Sequence, residues 1–182
     1  GVIGVQETAK IAVNAAMTGH KLLSTLHTND ASTTIPRLID LGAEPFLVSS
    51  TLIVAIGQRL VRKACVKCKK KKKFSRKDAE SMLSEDLLEA LFKRSRVIQV
   101  AKVEGRSQCN NDGYKGRIGI FEAIALDDTL ETFIATSPSV AELRTHVQKN
   151  GMVTMYQDGL LKVLEKTTTL QEVERVTGPI EW

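Results

Sequence analysis

Residues 7 to 18, ETAKIAVNAAMT, are followed by Gly19, the run KLLSTLHT and the pair Asn29-Asp30. Ile11, Ala12, Ala15 and Ala16 recur at helical spacing, and Gly19 stands where a left-handed cap fits, so a helix is predicted to end there. KLLSTLHT is too short for a buried helix, and its apolar and β-branched residues predict a strand over about 21–27. Asn29 and Asp30 can accept from the free N–H groups that open a following helix, which is predicted to run to Leu41 and stop at Gly42. A helix, a glycine and a strand form half of an α/β repeat, and the expected class is therefore α/β.

Further along, Pro45 suits a first helical turn, and FLVSSTLIVAIGQRLVRK is apolar on most faces through Leu60, which predicts a core helix. The texture then changes to Cys65-Val66-Lys67-Cys68, five consecutive lysines, a polar helix near 77–93, the strand-like RVIQVAKV, and CNNDGYKGRIGIFEAI punctuated by Gly113, Gly116 and Gly119. Short β segments between glycine turns, bounded by cysteines, describe a metal-knuckle insertion at about 64–122. From 127 onward the pattern is helical: Ser139 with Glu142 and Thr169 with Glu172 match capping boxes, Asn150-Gly151 breaks one helix, and Met152 to Lys166 carries another. The expected segments are 1–63, 64–122 and 123–182.

At 182 residues, 42% hydrophobic and 26% charged, the chain can bury one sizeable core with a small appendage. No apolar stretch approaches the roughly 20 residues of a spanning helix. A start at Gly1 without a basic-then-apolar leader leads us to expect an unexported piece of a longer protein. Cysteines spaced as C-x-x-C in such a chain favour metal over disulfide. The net charge of +5 is uneven, because eleven cations and no acid lie between Arg59 and Lys77.

No G-x-x-x-x-G-K-[ST] loop exists: GHKLLST lacks the paired glycines and GYKGRIG lacks the terminal Lys-Ser/Thr. Phosphates have no such cradle here, so the chain alone is not expected to hydrolyse ATP. Arg59 and Arg62 read as the solvated end of the predicted helix. Lys69 to Lys73 reads as a solvated loop extended by like-charge repulsion. Attraction to anionic lipid and phosphate neutralisation on nucleic acid compete for it functionally. With Phe74 alone among aromatics nearby, stacking platforms are missing and nucleic acid is the weaker partner.

The stretch TGHKLLSTLHTNDASTTIPRLIDLGAEPFLVSSTLIVAIGQRLVRKAC closely resembles the histidine-box region of the type II secretion and type IV pilus-assembly ATPases, hexameric RecA-like motors. The likeness continues through CNNDGYKGRIGIFE and GMVTMYQDGLLKVLEKTTTLQEVERVT, and the cysteine pair resembles the secretion and pilus-extension branch. The resemblance implies a partial RecA-like P-loop ATPase core, a cysteine-knuckle insertion and a helical C-terminal region. It implies ATP and Mg²⁺ in the intact protein, a hexamer, an inner-membrane platform protein as partner, and a cytoplasmic location peripheral to that membrane.

In that family a Walker B segment, G-E-I-R-D-x-E-T-A, precedes the histidine box. Here GVIGVQETA keeps Glu7, Thr8 and Ala9 but has Val2, Gly4 and Val5 where the acid, arginine and aspartate stand. Valine cannot orient water or hold Mg²⁺. The segment is either a dead half-site or the edge of a partial gene, and the P-loop is expected upstream of Gly1.

By resemblance, His20 and His27 flank the core strand, with His27 at its C-terminal end, where ligands of open α/β sheets collect. Nucleotide sensing is the expected role of His20 and His27, with Thr25 beside them and Arg59 and Arg62 as further candidates. The family pattern also assigns Cys65, Cys68 and Cys109 to a zinc site but puts Arg106 at the fourth position, with Asp112 as a substitute oxygen ligand. The alternative from another class is a non-catalytic cationic zinc-ribbon that binds nucleic acid.

Overall fold

The computed structural model describes residues 1–80, 85–93 and 97–178. Parts of two sequence expectations, the polar helix at 81–84 and the start of a strand at 96, lie outside the described residues. The structure is mixed α/β, with α1 (Gln6–Met17), α2 (Ala31–Asp40), α3 (Pro45–Thr51), β1 (Val54–Ala64), β2 (Lys69–Ser75), α4 (Arg76–Ala79), α5 (Glu85–Phe92), β3 (Val97–Val103), β4 (Tyr114–Ala125), α6 (Asp128–Ala135), α7 (Val140–Lys149), α8 (Met155–Leu164) and α9 (Leu170–Thr177). β1 pairs with β4 and β2 with β3, giving two small sheets.

Helix ends follow the sequence signals. Past α1 and α2, Gly19 and Gly42 take φ of +86° and +81°, a backbone that a Cβ would strain. Asp30 caps α2 by accepting from Thr33 N at 2.7 Å. At α7, Ser139 and Glu142 cap each other reciprocally. Thr169 likewise accepts from Glu172 N and opens α9, but the Glu172 carboxylate turns to Arg62 and Arg175.

Three expectations need correcting. The strand at 21–27 is reduced to a single parallel bridge, Val2 to Thr25, carried by Ile3 N to Thr25 O at 2.9 Å and Thr25 N to Gly1 O at 3.3 Å. A strand exists only where a ladder supplies partners, and among the described residues only 1–3 bridge to this one. The core helix through Leu60 stops at Thr51, and Val54 to Ala64 is strand β1. An unbroken apolar run does not separate helix from strand by periodicity, and here Ala55 and Gly57 are buried while Val54 and Ile56 are exposed, an alternation of period two. Arg59 and Arg62 are therefore strand residues and not a helix end. The lysine run is strand β2, antiparallel to β3 in the register Lys70 to Lys102, Lys72 to Val100 and Phe74 to Ile98.

By contact the chain forms two compact units. The first, residues 1–57 with 122–154, packs Val13, Ile35, Leu38, Val48, Ile134 and Leu143 around α1, α2, α3, α6 and α7. The second, residues 58–121 with 155–182, packs Phe74, Leu88, Val100, Leu160, Val163 and Val173 between the β2–β3 sheet and α5, α8 and α9. A smaller group, Val61, Ile120 and Met155, joins β1, β4 and α8. This grouping cuts across chain order, because α8 and α9 pack with the knuckle segment that precedes them by tens of residues.

Candidate functional site

In the first unit, the histidine segment is extended chain between α1 and α2. His20 and His27 are both exposed. The Nδ1 of His20 lies 2.9 Å from the Thr18 hydroxyl. Thr25 forms the bridge to Val2, and Thr28 lies 3.3 Å from Thr34 through the two hydroxyls.

The C-terminal edge of this segment is fixed by Asp30. It caps α2, also accepts from the Thr33 hydroxyl at 2.7 Å, and receives Arg144 Nη2 at 2.6 Å. Burial works to raise the Asp30 pKa, but the Thr33 bonds and Arg144 prevail and hold the carboxyl below its usual range. His27 is thus an exposed imidazole three residues ahead of a rigidly held helix N-terminus.

Sequence reasoning overlooked a second support of that terminus. Glu122 on β4 is buried, and its Oε1 accepts from Ala31 N at 2.6 Å. Gly57 makes room for it, since a Cβ there would stand 2.9 Å from Glu122 Cγ. The signal was present: Glu122 lies at period two between the buried Ile120 and Ile124, and a carboxylate on a buried face needs a donor.

Arg59 and Arg62 lie in the second unit, so among the predicted sensing residues His20, Thr25 and His27 share a unit and the arginines do not. Arg59 is exposed. Arg62 is committed locally: its Nη2 donates to Glu172 Oε2 at 2.7 Å, its Nη1 to Asp112 at 2.9 and 3.1 Å, and its guanidinium lies 4.2 Å from the Tyr114 ring centroid. Arg175 adds two bonds to Glu172, and Arg62 N donates to the same carboxylate at 2.9 Å. Burial would raise the Glu172 pKa, yet the donors from Arg175 and Arg62 bring it down to about 2. This network ties α9 to β1 and was not legible in sequence, because Arg62 lies 50 residues from Asp112 and 110 from Glu172.

The three cysteines converge. Cys65, Cys68 and Cys109 are all buried, with sulfurs within 4.8 Å of one another and Cys68 Sγ 3.5 Å from Cys109 Sγ. Sulfurs held about 2.3 Å from a tetrahedral zinc lie about 3.8 Å apart, so the three thiols fit three corners of such a site. Gly113 O accepts from Cys65 N at 2.9 Å and anchors the turn, helped by left-handed Asn110, Asn111 and Gly113. Burial pushes the Cys68 thiol up to about 11, while the Arg106 N–H holds Cys109 below the usual thiol range. A bound cation would deprotonate coordinating thiols outright. The carboxylate of Asp112 is on Arg62, and Asp112 is not among the clustered ligands.

A family model described as Type II/IV secretion system protein matches residues 1–175. The chain is 42% identical over 173 residues to the Type IV pilus assembly ATPase PilB of Thermus thermophilus, covering 95% of this chain and 19% of that protein. It is 40% identical over 177 residues to the Type II secretion system protein E of Pseudomonas aeruginosa, covering 97% and 34%. The chain thus spans between a fifth and about a third of these relatives. In structure it is similar to the ATPase DotB of Yersinia pseudotuberculosis at a TM-score of 0.61 and 15% identity, covering 97% of this chain and 35% of the other, a likeness of fold. The chain belongs to the type II/IV secretion system protein family.

Proposed function

We propose that this chain works as the C-terminal portion of a hexameric, RecA-like motor ATPase, in which hydrolysis of Mg²⁺-bound ATP drives assembly of pilin or pseudopilin subunits through an inner-membrane platform protein. The observation that carries this reading is the match over residues 1–175 together with about 40% identity to pilus-assembly and secretion proteins. Its small share of those relatives' lengths supports placing the phosphate-gripping loop in polypeptide outside residues 1–182, whose sequence contains no G-x-x-x-x-G-K-[ST]. None of these findings favours the nucleic-acid alternative.

Within the motor, His27 senses the terminal phosphate. Its exposure and its place ahead of the Asp30-capped α2 support an imidazole free to meet a ligand from another part of the protein. His20 and Thr25 shape the same segment. The three cysteines hold zinc, which would supply a cross-link between the 65–68 and 106–109 turns. No described helix is long and apolar enough to cross a membrane. A cytoplasmic, peripheral station at the inner membrane suits the exposed Lys70 to Lys73, which favour anionic lipid.

The test is His27→Ala in the full-length protein. ATP turnover is expected to fall at least about tenfold, with the unfolding midpoint unmoved because the side chain is exposed. Turnover equal to wild type would remove the sensing role.

A further inference from the structure

Two turns bring the cysteines together, and in each the opening residue's carbonyl accepts from the N–H of the cysteine three residues on. In the first, the N–H groups of Cys68 and Lys69 donate to Cys65 O at 3.2 and 2.9 Å. In the second, those of Cys109 and Asn111 donate to Arg106 O at 3.0 and 2.9 Å. Each turn points its fourth residue's thiol into the cluster. The first position is Cys65 in one turn and Arg106 in the other. Arg106 also donates its backbone N–H to Cys109 Sγ at 3.3 Å, while its side chain is exposed.

A guanidinium carries five donors and no lone pair to offer, so Arg106 cannot complete the site. Asp112 has both carboxylate oxygens on Arg62. Among the described residues the cluster therefore ends at three soft ligands. Three thiolates around a divalent ion leave one tetrahedral corner unfilled, which is how ligand-exchanging zinc sites differ from closed structural ones.

We propose that the cluster binds one zinc-class ion through Cys65, Cys68 and Cys109 and leaves the fourth position, on the Arg106 side, to an exogenous small thiol or anion. The inference rests on the metal-binding reading of the cysteines. It makes this knuckle a ligand-exchanging centre whose occupancy follows the small-thiol content of its surroundings.

The experiment uses the full chain loaded with Co²⁺ in place of zinc, titrated with 2-mercaptoethanol, alongside Arg106→Cys and Asp112→Asn. One ion per chain is expected, with a visible cobalt spectrum that shifts saturably on adding the thiol. Arg106→Cys is expected to bind zinc roughly a hundredfold more tightly, by chelator competition, and to ignore the thiol. Asp112→Asn should leave metal binding and thiol response intact. A wild-type spectrum unmoved by thiol, with Asp112→Asn losing the ion, would show that the protein supplies its own fourth ligand and overturn the proposal. Failure of the wild type to bind any cobalt or zinc would instead remove the metal reading itself.

Discussion

Glu172 has a fully buried side chain and accepts from two arginines and a backbone N–H. A carboxyl held at about 2, against an ordinary value near 4.5, adds stability that is complete above about pH 5 and is lost as pH falls toward 2. That difference corresponds to about 3 kcal/mol. Chemical unfolding followed from pH 6 to pH 2.5 should show the wild type losing stability on this scale, and Glu172→Gln should flatten the slope. The substitution should also cost about 3 kcal/mol at pH 7, since it strands Arg62 partly buried beside a neutral amide. A Glu172→Gln profile parallel to wild type would count against the network. At this scale, what the sequence disclosed was local: the caps at Asp30, Ser139 and Thr169, the left-handed glycines, and the cysteine turn. It did not disclose where Arg62, Glu122 or Asp112 would find partners, because ion pairs across 50 or more residues are set by the fold and not by spacing.

Elements were legible where a glycine or a cap marked the boundary and illegible where only apolar content spoke. The ends of α1 and α2 and the helices after 127 fell where their signals put them. The run from Leu52 to Leu60 was misread because β-branched residues in an unbroken apolar stretch serve a strand as well as a helix. The lysines were misread because like charge was taken to exclude pairing. In the structure β2 is a sheet edge, where lysine is tolerated and guards against further pairing. Phe74 is buried at its far end, and Lys70 and Lys102, directly opposed, share Glu104 at 2.5 and 3.9 Å. The bond from Lys70 holds the Glu104 carboxyl below its usual range. If the edge meets anionic lipid, Lys71→Gln with Lys73→Gln should weaken binding of phosphatidylglycerol vesicles about thirtyfold at low salt, from about 1 kcal/mol per lysine, with no loss of fold. Equal co-sedimentation by wild type and variant would exclude the strand as a lipid contact.

At the scale of the whole molecule, the helix, glycine and strand that suggested an α/β class contain only a bridge, and the strands that make the structure mixed α/β lie at 54–64, 69–75, 97–103 and 114–125. The division into two compact units was not legible, because α8 and α9 group with residues 58–121, far from them in sequence. The histidine segment shows what a sequence motif can and cannot carry. Its caps predicted the flanking helices, but its own strand character depends on neighbours that, among the described residues, only 1–3 supply. We propose that this exposed segment faces bound nucleotide in the complete motor. Hydrogen exchange of residues 20–30 in the full-length assembly measures this most directly, with a non-hydrolysable ATP analogue compared against ADP. Slowed exchange across His27 to Asp30 with the triphosphate is the predicted result; identical exchange in both nucleotide states would contradict it.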